Sequence, residues 1–137
     1  MKKNFLFLSL FLAFAFNHYA QDNNTTLRYI DVSNNKLEAA IILNSIEQPN
    51  FNLIKEKLEL SPLFKIESNY VSNKKVGSFT FKSSSNATIS DFEKLVVEAT
   101  ITQLVYNNKL ISSAQISENY KPVNRTETIS NKNFNSK

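Results

Sequence analysis

Pro49 and Pro62 bracket the segment that most narrows what this chain can fold into. A proline is tolerated in the first turn of a helix, where its missing N–H has no partner to lose. The residue before a proline is pushed out of the helical region, so Pro62 closes what Pro49 opens. Between them Phe51, Ile54 and Leu58 recur at helical spacing, and Leu53 and Leu60 are added to widen the apolar face. The period then changes. Phe64, Ile66 and Tyr70 alternate, as do Phe79 and Phe81, and the polar stretch Ser72-Asn73-Lys74-Lys75 joins the two runs. A period of two on both sides of a short polar connection predicts a β-hairpin. A helix followed by a hairpin makes the chain α+β.

The flanking segments extend this order. Leu27 to Val32 is short and β-prone, and Ser33-Asn34-Asn35 reads as a turn. Lys36 to Ile46 suits two elements: its Leu, Glu and Ala content fits a helix, while Leu37, Ala39, Ile41 and Leu43 alternate like a half-buried strand. The strand, paired with Leu27 to Val32, is favoured. Ser90 and Glu93 have the spacing of a capping box. The helix they open is predicted to run to about Val105, with Phe92, Leu95, Val96, Ala99 and Tyr106 on one face and Asn107-Asn108 as its end. The β-branched run Thr100 to Thr102 argues for an earlier end. Lys109 to Ser117 is expected as a last strand, with Leu110, Ala114 and Ile116 on one side.

One α+β domain over residues 27–117 results. Residues 21–26 are expected to be a mobile N-terminus. From Glu118 the only sizeable apolar residues are Tyr120, Val123, Ile129 and Phe134, so residues 118–137 are expected as a disordered polar tail. Phe51, Phe64, Phe79, Phe81 and Phe92 are the expected core, each contributing about 2 kcal/mol on burial.

The first twenty residues have the order of a secretory signal peptide. Lys2 and Lys3 precede the mostly apolar run Phe5 to Phe16, and Ala20 supplies the small residue before a cut. Cleavage would leave Gln21 first; Ala13-Phe14-Ala15 offers an alternative cut after Ala15. The run of about 12 residues is short of the roughly 20 that span a bilayer, so no transmembrane segment is expected in the mature chain. The product is expected to be exported, periplasmic or secreted. Lys-heavy, Arg-poor, Asn-rich composition suggests a low-GC bacterium, which favours the periplasm.

Maturation would remove the only histidine, His18, and the only methionine, Met1; cysteine and tryptophan are absent and Gly77 is the only glycine. No disulfide can form. Zinc, copper and iron–sulfur sites lack their nitrogen and sulfur donors, and Ser-His-Asp and Cys-His catalysis lack their base. A phosphate-cradling glycine loop is missing. No cofactor is expected. Net charge is +4 over the whole chain, yet residues 21–117 carry ten basic and ten acidic side chains, so the excess belongs to the two ends. A nucleic-acid partner, which needs a basic face on the domain, is not expected.

The order strand, helix, hairpin, helix, strand from Leu37 to Ile116 resembles a ferredoxin-like domain of the heavy-metal-associated type, in segment pattern only. That family carries a Cys-x-x-Cys pair between its first strand and first helix. Here the stretch is Ser45-Ile46-Glu47-Gln48-Pro49-Asn50-Phe51, without cysteine. The resemblance implies the β-α-β-β-α-β fold and withholds the metal function; the β-prone Leu27 to Val32 would add an extra N-terminal strand to it.

Other constellations have bland explanations. Glu56 and Glu59 could form an acid/base pair, but fit the solvated face of a helix. Asp91, Glu93 and Glu98 could bind calcium, but two of them suit a helix's first turn. Ser83-Ser84-Ser85-Asn86 reads as a connector, and a Ser90–Lys94 dyad would consume a capping serine. Asn23, Asn86 and Asn124 begin glycosylation-acceptor triplets, which an Asn- and Thr-rich chain produces by chance. Tyr29, Tyr70, Tyr106 and Tyr120 either complete the core or mark a recognition surface. The sheet of this fold has one face free of helices. Tyr29, Tyr70, Ser78 and Thr80 are therefore the candidate interaction surface, with no catalytic, cofactor-binding or metal residue assigned. The expected function is an exported, non-catalytic binding or protein-interaction module of the bacterial cell envelope, its partner an envelope protein or a small ligand. A small secreted hydrolase using carboxylates is the alternative.

Overall fold

A computed structural model describes residues 25–84 and 86–122. The expected leader over residues 1–20, the glycosylation-pattern asparagines Asn23 and Asn124, and the expected tail from residue 123 lie outside the described residues. Six strands and three helices follow in the order β1 (Thr25–Ser33), β2 (Lys36–Leu43), α1 (Gln48–Glu59), β3 (Phe64–Val71), β4 (Val76–Ser83), α2 (Ile89–Glu98), β5 (Gln103–Tyr106), β6 (Lys109–Ser112) and, after a 3-10 turn at Ser113–Gln115, α3 (Ile116–Asn119). They form an α+β fold on one mixed sheet of order β3-β4-β2-β1-β5-β6. Neighbours are antiparallel except β1 and β5, which pair in parallel at Thr26–Val105 and Leu27–Tyr106. Two crossovers therefore interleave: β2–α1–β3 passes over β4, and β4–α2–β5 passes over β2 and β1.

Asparagine does the turning that glycine does elsewhere. Both two-residue hairpin loops, Asn34-Asn35 and Asn107-Asn108, have φ between 50° and 62°. Two successive left-handed residues make the turn whose twist matches antiparallel strands, and asparagine tolerates that region better than other side-chain-bearing residues.

The helices cover one face of the sheet. Phe79, Phe81 and Phe92 are fully buried between them. The Phe81 and Phe92 rings meet edge to face at 5.0 Å, and Phe64 joins them at 6.5 and 6.0 Å. Phe51 of α1 stacks on Phe79 at 4.7 Å and lies 5.1 Å from Tyr70. Gly77, one pair of residues along from Phe79, is what lets Phe51 sit down on the sheet. A Cβ there would fall inside van der Waals distance of the ring's Cδ2 and Cε2.

Several expectations are corrected. Leu53 and Leu60 do not widen the apolar face of α1; they are 56% and 82% exposed. At 100° per residue both lie on the side opposite Phe51 and Leu58. The capping box is Thr88 with Asp91, two residues before the expected Ser90 with Glu93. The second helix ends at Glu98, not near Val105. Thr100 turns left-handed (φ 67°), and after Ile101 and Thr102 the chain enters β5 at Gln103. Asn107-Asn108 is accordingly a hairpin turn between β5 and β6, and not a helix end. The last strand stops at Ser112, and Ala114 and Ile116 belong to helical turns.

Order also runs past both expected limits. Thr25 and Thr26 belong to β1, and Tyr120 packs against the core. Glu93, freed from the cap role, instead accepts from the Ser117 N–H and hydroxyl at 2.7 and 2.6 Å. It anchors the N-terminus of α3, where a carboxylate satisfies otherwise unpaired donors.

Candidate functional site: the open face of the sheet

The second face of the sheet carries no helix among the described residues. Its composition follows from alternation along each strand. Phe79 and Phe81 point to the helices, so Ser78 and Thr80 point away, half-buried between neighbouring strands. The pairings carry each of them across the sheet. Ser78 lies between Asn69 and Ile42, and the row continues through Thr26 and Val105 to Leu110. Thr80 lies between Glu67 and Ala40, with Tyr29 beyond. A third row, Lys65–Lys82–Glu38–Asp31, is charged. The face thus has a middle of small and β-branched side chains with an ionic border along one end.

Tyr29 reaches this face through a β-bulge. Strict alternation from Leu27 would send Tyr29 into the core. The register slips by one residue between Leu27 and Tyr29, so Leu27 and Ile30 are both buried and Tyr29 is 43% exposed. A bulge re-aims every side chain after it. Residue spacing does hold a signal: Leu27 and Ile30 sit three apart, an interval that an unbroken strand cannot place on one face.

The four expected surface residues therefore divide. Tyr29, Ser78 and Thr80 share the open face. Tyr70 lies on the other one, half-buried, its ring against Phe51 and its hydroxyl donating to the Ile46 carbonyl oxygen at 2.8 Å. It closes the core at the start of α1, as a large side chain with a polar tip is suited to do. Tyr106 is buried. The Tyr120 hydroxyl is pushed above its ordinary value by burial first and by the nearby Asp31 and Tyr106, against a hydrogen bond from the Val32 backbone. Sequence reasoning missed Ala40 and Ile42, which sit at the centre of the face, and Leu110, which is 46% exposed at its far side.

Residues of the remaining constellations make local contacts. Lys55–Glu59 and Lys94–Glu98 are exposed i,i+4 pairs at 3.8 and 3.9 Å, worth little at a surface. The Thr88 backbone N–H, then its side chain, hydrogen-bond Asp91 and hold its carboxyl below the usual range. Glu47 hydrogen-bonds Lys75 at 2.5 Å and raises its ammonium. Ser83 Oγ accepts from the Leu37 N–H at 2.7 Å and Ser84 bonds the Leu63 carbonyl, which ties the serine connector to the body. Among the described residues no group of three carboxylate, imidazole or thiol side chains is placed to hold a metal, and no helix is long and apolar enough to cross a membrane.

Comparison with protein-family models, with curated proteins and with solved structures finds no match to this chain.

Proposed function

We propose that this protein is an exported, non-catalytic interaction module of a bacterial cell envelope, and that it binds through the open face of its sheet. The carrying observation is the asymmetry of the sheet. One face is closed by three helices over an aromatic core. The other presents Tyr29, Ala40, Ile42, Thr80 and Leu110 in adjoining rows with nothing over them among the described residues. Apolar and hydroxyl side chains that adjoin one another, exposed or half-buried and bordered by charge, are the composition of a recognition surface. The leader-like residues 1–20 supply the compartment in this reading. A ferredoxin-like unit, β2-α1-β3-β4-α2-β5, is the finer description of the fold we adopt, with β1 inserted between β2 and β5 where that fold would pair them directly. The insertion broadens the open face by one strand and brings Tyr29 onto it.

The test is retention of envelope proteins on the immobilised processed chain, compared with Ala40→Glu. That substitution places a charge at the centre of the face and touches nothing in the core. The reading requires a retained species that Ala40→Glu loses while its melting temperature stays within about 4 °C, roughly 1 kcal/mol for a domain this size. A species retained equally by both assigns binding to another surface.

A further inference from the structure

We infer that the open face docks on a second copy of this chain about a two-fold axis that runs along the strands between β4 and β2. The inference rests on the reading of that face as a binding surface and names its occupant. What points to a second copy is the sign of the charges in the border row. Reading across the sheet, β3 and β4 contribute Lys65 and Lys82, and β2 and β1 contribute Glu38 and Asp31. The row changes sign at its middle. A two-fold axis at that point sets the second copy's row against the first in reverse order, so Lys82 meets Glu38 and Lys65 meets Asp31, each twice by symmetry. A row of one sign would repel its own copy.

The neighbouring rows fit the same operation. Thr80 falls opposite Ala40 and Ser78 opposite Ile42, small side chains against apolar ones, which lets two sheets approach to the roughly 10 Å of face-to-face packing. Tyr29 and Glu67 meet at the rim, where a phenol can reach a carboxylate. Within one chain Lys82 already lies 4.0 Å from Glu67, with both side chains more than half exposed. That pair is weak enough for Lys82 to turn instead to Glu38 of the second copy. The four overlapping strands span about 19 Å by roughly 20 Å. This falls short of the about 800 Å² per partner of a stable dimer, so the association belongs to the weak, transient class.

Sedimentation equilibrium of the processed chain from Gln21 tests this, since the apolar leader would associate by itself. Wild type should show a monomer–dimer equilibrium between about 10 and 500 µM that Ala40→Glu abolishes. Lys82→Glu alone and Glu38→Lys alone should each raise Kd at least about tenfold, because each sets like charges together twice. An equimolar mixture of these two variants should dimerise again. In the mixed dimer the carboxylate introduced at position 82 faces the ammonium introduced at position 38, and the unaltered Glu38 faces the unaltered Lys82. A purely intrachain effect of either substitution would not be rescued by mixing, and that outcome overturns the proposal. So does a wild type that stays monomeric to 500 µM, or a dimer indifferent to Ala40→Glu. If the wild type is monomeric yet retains an envelope protein that Ala40→Glu loses, the binding face stands and only its occupant is wrong.

Discussion

Replacing Gly77 by alanine adds one methyl group to the chain and should lower its stability markedly. Gly77 has an ordinary strand conformation, with no positive φ. Backbone strain therefore plays no part, and alanine should even gain about 0.5–1 kcal/mol by restricting the unfolded chain. Opposing this is the Phe51 ring, whose Cδ2 and Cε2 occupy the place of the new Cβ. The ring is held by two neighbouring rings. Phe79 stacks on it at 4.7 Å and Tyr70 lies at 5.1 Å, itself held by its bond to the Ile46 carbonyl. Overpacking of this kind costs about 1–3 kcal/mol. The net loss is about 0.5–2 kcal/mol, a fall in melting temperature of roughly 2–16 °C for a domain of this size. Urea and thermal unfolding of Gly77→Ala, Phe51→Leu and the double variant measure it. Because the smaller leucine leaves room for the methyl, the double variant should lose at least about 1 kcal/mol less than the sum of the singles. Strict additivity, or a Gly77→Ala protein as stable as wild type, would show that Phe51 is not held against β4 as described.

Phe81→Ala should cost about 3–5 kcal/mol, since the ring is fully buried against Phe64 and Phe92; Thr80→Ala, on the opposite face, should be nearly neutral in the same denaturation experiment. Ser113 is fully buried and its hydroxyl has no hydrogen-bond partner among the described residues, so Ser113→Ala should be neutral or stabilise by up to about 1 kcal/mol; a loss of that size would reveal a partner for the hydroxyl. Tyr120 has a folded pKa above its ordinary value of 10.0. The protonated form is thus favoured by folding, and its contribution is whole below about pH 10 and lost as pH rises through the folded pKa. Melting temperatures from pH 8 to 11 should fall less steeply for Tyr120→Phe than for wild type.

Much of this architecture was legible because it is local. The helix between Pro49 and Pro62, the hairpin around Asn73, the turn at Asn34-Asn35 and the shared face of Phe79 and Phe81 each follow from a few neighbouring residues and one period. The part of the site carried by Ser78 and Thr80 was legible for the same reason. Where two local signals conflicted, packing chose between them. Leu37 to Leu43 had helical composition and strand periodicity, and it became the strand that both β1 and β4 need as a partner. Residues 100–106 followed helical spacing on paper, yet a left-handed Thr100 ends the helix and Gln103–Tyr106 joins the sheet beside β1.

Tertiary structure alone decided the rest. The parallel pairing of β1 with β5 joins residues almost eighty apart, and no local pattern specifies which strand β5 will find. The bulge at Arg28 depends on keeping Leu27 and Ile30 in one core, a demand made by the helices opposite. That bulge carries Tyr29 out to the open face, while the approach of α1 draws Tyr70 inward. Two tyrosines alike in sequence thus take opposite roles. Gly77 shows the same dependence. Composition marks it as the only glycine, but its reason is a ring from a helix twenty-six residues earlier, because close packing is a property of surfaces brought together by the whole fold.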